Sequence, residues 1–347
     1  MPDFSLNAIG AKARAKFGKR LKSRQYLDLI DCFTVGEAAM YLKTNTAYAP
    51  VLEEIHYPSA HRGRLEELLS RKQFEDFSSL CAFEFSGSGV FYRIIILKEE
   101  IRQILRCVRL LAYGREDEYL FTMPAFFDRQ TDISLMELAK CDSFKGIIKV
   151  VSGTAFEKML RPFDLLGVMP DFTAMETVLY KYYTDFVFET IGKTERGRAK
   201  EELLDFFYLQ VELDNVKRIL RLKNGFEASE DYIRSCLMPN SRYIKSAELE
   251  KMLKASNGEE VLSLFGETYY GRRLTRRGNP VDPKNFSQMI YDESVKTIYY
   301  STNPNAVLAA YTVVAEIELS NVINIIEGIR YKINPAEIKK MLIPILE

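Results

Sequence analysis

The stretch Asp205–Arg221, DFFYLQVELDNVKRILR, constrains this chain more than any other. Leu209, Leu213, Val216 and Leu220 recur at i, i+4, i+7 and i+11, which is one face of an α-helix. Three polar residues, Glu212, Asp214 and Asn215, interrupt the apolar pattern near its centre. A second copy lies near the C-terminus as EIELSNVINII, where Glu318 and Asn321 stand 106 residues after Glu212 and Asn215. A weaker third copy, LKEEIRQILR, aligns Ile101, Ile104 and Leu105 with Val216, Ile219 and Leu220 at an offset of 115. In that register Leu97, Glu99 and Glu100 replace the Glu, Asp and Asn of the middle copy.

Two further markers keep step with the helix. Each copy is followed by a hydrophobic residue and proline: Met123-Pro124, Met238-Pro239 and Ile343-Pro344. A Thr-x-aromatic-x3-Leu signature precedes each, as Thr46/Tyr48/Leu52, Thr154/Phe156/Leu160 and Thr268/Tyr270/Leu274. Three markers in the same order three times predict an internal triplication. The expected boundaries are residues 1–124, with a basic N-terminal helix, then 125–239 and 240–347. Strand-like alternation is nearly absent, so the predicted fold class is all-α.

Composition sets outer limits. A chain of 347 residues has room for two or three domains, and 47% hydrophobic residues supply ample core. A formal net charge of zero argues against a dedicated nucleic-acid binder, since neutralising phosphates leaves a basic balance. Five scattered cysteines without a CxxC suit buried thiols in a reducing cytosol better than disulfides or a zinc site. No apolar core of signal-peptide type opens the chain, and the longest uncharged run, 297–315, contains Asn303, Pro304 and Asn305. The expectation is a soluble or peripheral protein without a transmembrane helix.

Local signals then place the parts. Ile9, Ala13, Phe17 and Leu21 form a stripe with Lys12, Lys16, Lys19 and Arg20 beside it. That pattern suits either a solvated face or a basic arm that meets an acidic partner or anionic lipid. Thr34…Glu37 and Ser134…Glu137 fit capping boxes. In the motifs, Thr46, Thr154 and Thr268 are expected to cap or close turns. Gly114, Gly225 and Asn334-Pro335 read as helix stops. Arg272, Arg273, Arg276 and Arg277 crowd a Gly/Pro-bounded segment read as a loop, either solvated or gripping a partner's carboxylates.

No catalytic constellation emerges. The two histidines, His56 and His61, flank Pro58 without clustered acids, and Ser86–Gly89 lacks the Lys-Ser/Thr ending of a phosphate loop. Glu212 and Asp214 are two apart and point to different sides of a helix, so they cannot pinch a metal. Glu212 with Asn215, like Glu318 with Asn321, shares a face and suits hydrogen bonding that fixes register at a helix seam. No metal or cofactor is expected.

The DFFYLQVELDNVKRILRLKNG segment, the triplicated Thr motif, the NAIGAKARAKFGKRL opening and EIELSNV together resemble the C-type subunits of the V/A-type ATPases, the counterparts of the eukaryotic V-ATPase d-type subunits. The resemblance covers essentially the whole chain. It implies three similar helical domains in a pseudo-threefold funnel. It further implies a single copy on the cytoplasmic face of the membrane proteolipid ring, receiving the tip of the central shaft and performing no chemistry. A generic helical-repeat scaffold for soluble partners is the alternative, and a helical enzyme comes third.

Overall fold

The computed structural model describes residues 4–53, 55, 62–81, 90–165, 170–226 and 228–343. His56, His61, the 86–89 segment and Pro344 lie outside them. The fold is all-α: the described residues form eighteen α-helices and three short 3-10 turns, with no strand among them. The chain divides into two compact units, each built from separate stretches. Neither unit coincides with a span between the repeat boundaries.

The first unit joins the two ends of the chain, Met1–Arg93 and Tyr291–Glu347, with Asp117–Gln130. It contains α1 (Phe4–Gly18), α2 (Ser23–Ile30), α3 (Val35–Asn45), α4 (Arg62–Cys81), α6 (Asp117–Thr122), α17 (Pro304–Arg330) and α18 (Pro335–Met341). The long α17 is its axis, packed against α1, α2, α3, α4 and α18. Leu29, Leu42, Leu65 and Leu69 close on Val322, Ile325 and Ile326 of α17 in one core. Each such side chain contributes roughly 1.5–3 kcal/mol when fully buried. The stripe Ile9, Ala13, Phe17 and Leu21 is buried as the spacing predicts.

Much of the basic face of α1 works inside this unit. Arg14 donates from Nε to the Ile298 carbonyl (2.7 Å) and from Nη2 to that of Ser301 (2.6 Å), satisfying the end of α16 (Pro283–Tyr300). Lys16 pairs with Asp76 at 2.6 Å. Among the described residues one helix, α17, is long and apolar enough to cross a membrane, yet half of its most apolar window is buried within the fold. Core packing accounts for its hydropathy.

The second unit comprises Ile94–Glu116 and Thr131–Ile290. It takes in most of α5 (Val90–Ala112), then α7 (Leu135–Leu138), α8 (Phe144–Val150) and α9 (Ala155–Leu160). Next come the long pair α10 (Phe172–Thr194) and α11 (Gly197–Phe226), which pack together. The short helices α12 (Glu230–Ser235), α13 (Ser246–Lys254), α14 (Gly258–Gly266) and α15 (Tyr269–Arg276) follow, with α14 against α11. Leu209, Leu213, Val216 and Leu220 are buried on α11, while Asp214 faces outward.

The hydroxyl half of each expected capping box forms, while Glu37 reaches back one residue beyond the cap and Glu137 pairs with Lys140 at 2.7 Å. The Thr34 hydroxyl accepts from Glu37 N (3.1 Å) while the Glu37 carboxylate accepts from Phe33 N (2.8 Å), and Ser134 accepts from Glu137 N (3.2 Å). Two of the stop signals do not hold. Gly114 adopts φ +62 after α5, but α11 runs straight through Gly225 to Phe226. Asn334 starts α18, its side chain accepting from Ala336 N (2.9 Å), and the chain leaves α17 at Lys332 with φ +54. An Asn-Pro pair serves an N-cap followed by proline at N1 as readily as a stop.

Candidate functional site: buried polar anchors on the long helices

Glu212 is 1% exposed in the interior of α11. Its Oε1 accepts from the Ser241 hydroxyl (2.8 Å) and from the backbone N–H groups of Arg242 (2.8 Å), Tyr243 (2.7 Å) and Ile244 (2.7 Å). Its Oε2 accepts from the Tyr270 hydroxyl at 2.7 Å. Successive N–H groups converging on one oxygen form an anion nest. The carboxylate thus fastens the segment before α13 and the start of α15 to α11. Burial beside Glu212 pushes the Tyr270 hydroxyl far above its ordinary value, so it remains a donor.

One helical turn further on, Asn215 completes the attachment. Its Nδ2 donates to the Met238 carbonyl (2.9 Å) and its Oδ1 accepts from Met238 N (2.8 Å). A side-chain amide thereby occupies both backbone groups of the residue before Pro239, as a neighbouring strand would. Asp214, between them in sequence, is exposed and only pairs with Lys217 at 3.5 Å.

The first unit carries the same device. Glu318 of α17 accepts from Leu21 N (2.8 Å) and from the Tyr48 hydroxyl (3.0 Å). Asn321 donates to the Ile343 carbonyl and accepts from Ile343 N, both at 3.0 Å, again immediately before a proline. Leu21 and Ile244 hold the same place, each one residue before the N-cap of the next helix, Lys22 and Lys245. Glu318 is less enclosed than Glu212 and lines a cavity of about 330 Å³ with Lys16, Arg20, Lys72 and Asp76. Burial, the largest cause, raises its carboxyl above the ordinary 4.5.

On α5 a buried glutamate makes a similar contact three residues from the position that the hydrophobic alignment would give it. Glu100, 0% exposed, accepts on Oε1 from the Thr131 hydroxyl (2.8 Å) and from Asp132 N (2.9 Å), just before the Ser134 N-cap of α7. In this contact it resembles Glu212 and Glu318, and three residues on the buried Gln103 (4% exposed) donates to Glu99 Oε1 at 2.6 Å. The alignment through Ile101, Ile104 and Leu105 sets Leu97 against Glu212 instead. The apolar rows repeat every three or four residues, so hydrophobic matching alone tolerates a slip of one turn.

The threonines tie off turns. Thr268 accepts from Gly271 N (3.2 Å) and donates to the Phe265 carbonyl (2.7 Å). Thr154 accepts from Phe156 N (3.2 Å) and donates to Val151 O (2.7 Å). Thr46 accepts from Tyr48 N (3.1 Å) and donates to Leu42 O (2.5 Å). What the sequence pattern did not reveal is that the motif aromatic is a hydrogen-bond donor. Tyr48 and Tyr270 reach a glutamate; the second motif has Phe156, which has no hydroxyl.

The arginine segment is a helix rather than a loop. Thr268 caps α15, and the chain turns away only at Gly278, φ +74. Gly271 is there for close approach, since a Cβ would fall 2.1 Å from the Phe265 carbonyl oxygen. Arg272, Arg276 and Arg277 are exposed, and Arg273 lies over the Tyr269 ring at 5.7 Å. Cations in the last turn complement the helix dipole.

A second cavity, about 400 Å³, opens between α5, α10 and α11, lined by Lys98, Arg102, Lys217, Arg218 and Arg221 with Glu176 and Asp214. Among the described residues no cluster of three or more His, Cys, Asp or Glu could hold a metal ion. The arrangement fixes helices and offers charge.

Comparison with known proteins gives a consistent result. A family model described as ATP synthase (C/AC39) subunit matches residues 9–341. A relative from Archaeoglobus fulgidus, named as the C-type subunit of an A-type ATP synthase, is 22% identical over 76% of this chain and 73% of its own length. One of the same name from Methanosphaera stadtmanae is 21% identical over 75% of this chain and 65% of its own. Another, from Methanocaldococcus jannaschii, is 20% identical over 96% of this chain and 85% of its own.

Proposed function

Because the chain belongs to the ATP synthase (C/AC39) subunit family, we propose that it is the non-catalytic central-stalk subunit of a V/A-type rotary ATPase. In this role it is a socket that couples the central shaft to the membrane proteolipid ring and so links ATP chemistry to proton or sodium movement. One copy serves each complex, peripheral on the cytoplasmic face of the membrane. The observation that carries the proposal is the family match over residues 9–341. The chain performs no chemistry of its own.

The buried anchors support a torque-bearing role. A joint between rotating parts needs helices that do not slide past one another. An ionised or hydrogen-bonded group buried in a seam opposes sliding, because a shift of one turn would strand it without partners at roughly 1–3 kcal/mol per group. Glu100 and Glu212 each pin a following segment to a long helix, and Glu318 pins the preceding Leu21 and Tyr48; three such anchors support a triplicated chain, with each tie running across the boundaries near 124 and 239. Three related modules suit a pseudo-threefold funnel set on a ring of identical proteolipids. The exposed Arg272, Arg276 and Arg277, with Arg273, offer a docking face to acidic or carbonyl-rich surfaces of shaft or ring.

The test is genetic. Deleting the gene should leave a soluble head that hydrolyses ATP but membrane vesicles without ATP-driven ion uptake. Normal uptake in the deletion strain would overturn the proposal.

A further inference from the structure

The cavity on the second unit has a charge pattern the anchors do not use. Five cations, Lys98, Arg102, Lys217, Arg218 and Arg221, line it with two carboxylates, Glu176 and Asp214, and Glu99 beside it pairs with Arg102 at 3.4 Å, a formal excess of two positive charges. The chain as a whole is neutral, so the excess is local. Asp214, Lys217, Arg218 and Arg221 fall at i, i+3, i+4 and i+7 on one face of α11, and Lys98 and Arg102 are four apart on α5.

The arginines are held in place. Arg221 Nη2 lies 3.2 Å from Glu176 Oε2, and Arg218 Nη1 lies 3.9 Å from the same oxygen and 3.3 Å from the Thr177 hydroxyl. Each guanidinium carries five N–H donors, so one shared carboxylate orients both without using their capacity. Lys217 is steadied by Ser287 at 3.1 Å as well as by Asp214. Glu176 is largely enclosed, at 15% exposed, whereas Arg221 is 49% exposed. Glu176 and Arg218 lie in the floor, while Arg221 and Arg102 face the opening beside the exposed Asp214.

The shape selects between occupants. The lining runs along α11 from Phe207 to Arg221, roughly 21 Å at 1.5 Å per residue. A single phosphate group would meet only one turn of this length. Tyr180, Tyr183 and Phe207 add aromatic surface to the groove, with Arg218 over the Tyr180 ring at 6.0 Å, and such surface accepts the apolar side of an amphipathic segment.

We propose that this groove seats an acidic segment of a protein partner, its carboxylates on Lys217, Arg221 and Arg102 and its apolar side on Tyr180, Tyr183 and Phe207. This rests on the socket function, which makes the central shaft the partner to test. Its attraction is electrostatic and partly exposed, so it weakens as salt is raised.

The experiment titrates the full-length chain with purified central-shaft proteins by calorimetry at low and physiological salt. The double reversal Lys217→Glu/Arg221→Glu should weaken association at least tenfold while helicity by circular dichroism is kept. Asp214→Asn, at an exposed site, should strengthen it two- to threefold, an effect that misfolding does not mimic. Lys193→Glu, on the exposed end of α10, should change nothing. If wild type binds the shaft and the double reversal binds equally well, the groove assignment is overturned while the socket function stands. If wild type does not bind the shaft at all, both fall. Inorganic pyrophosphate is titrated in parallel, and micromolar binding that the double reversal abolishes, with shaft affinity unchanged, would make the groove a small-anion site instead.

Discussion

Replacing Asn215 with leucine tests whether the long-helix amides act as anchors. The side chains share a γ-branched shape and leucine is the larger, so Asn215→Leu leaves no cavity and gains apolar burial of roughly 1–2 kcal/mol. It removes both partners of Met238, the donor at 2.9 Å and the acceptor at 2.8 Å. Both bonds are buried, and each stranded backbone group costs roughly 1–3 kcal/mol. The net loss is therefore about 0–5 kcal/mol, with a middle value of roughly 2–3, concentrated where the chain enters Pro239. A local measurement reads it best: hydrogen exchange of the Met238 amide in the native state. At about 1.4 kcal/mol per tenfold, a loss near 2 kcal/mol speeds exchange by roughly 30-fold. Asn321→Leu should do the same to the Ile343 amide, by less, because that pair is only partly buried. Unchanged protection of Met238 in Asn215→Leu would refute the anchor mechanism.

Tyr270→Phe should destabilise the second unit by about 1–2 kcal/mol in urea titrations, because the buried Glu212 loses a donor, whereas Phe156→Tyr should bring no matching gain. Glu318 carries a raised carboxyl, so the folded chain holds its proton to higher pH than the unfolded chain does. Wild-type stability relative to Glu318→Gln should consequently fall as pH rises from about 4.5 through the raised value; a difference that stays flat with pH would contradict this. Reversing Arg272, Arg273, Arg276 and Arg277 to glutamate should reduce assembly into the complex while leaving helicity intact. Full assembly of that variant would assign this face of α15 to solvent.

How much of this is legible in the sequence depends on the range of the interaction. Local chemistry is readable: the stripe on α11, the outward Asp214, and the caps at Thr34 and Ser134 all rest on neighbours within one or two turns. Gly225 misleads because the pattern shows a glycine, not the φ it adopts; within α11 it costs only about 1 kcal/mol against alanine. The arginine segment misleads for the opposite reason. Its flanking Gly271 suggests a loop, but that glycine lets α15 pass against α14 and belongs to tertiary packing. Nor could any local pattern foretell that Leu21 would be tied to Glu318, nearly the whole chain away.

The register of the first copy carries the most instructive ambiguity. Hydrophobic residues on a helix specify a face, and a face repeats every turn, so sliding one copy by three residues still superposes apolar on apolar. Buried polar groups do not tolerate that slide, because each has partners at one position only. Glu100 has Thr131 and Asp132, Glu212 has the 241–244 nest, and Glu318 has Leu21 and Tyr48. The same selectivity would hold the helices against sliding under load. The asymmetry between copies then acquires meaning. Glu212 is sealed by five donors, while Glu318 keeps two beside a cavity lined by Lys16, Arg20 and Lys72. If load is shared through these anchors, the one made between the two ends of the chain is weaker than the one at Glu212. Loss of Tyr48 or Glu318 should then loosen the closure of the first unit before any change in the second.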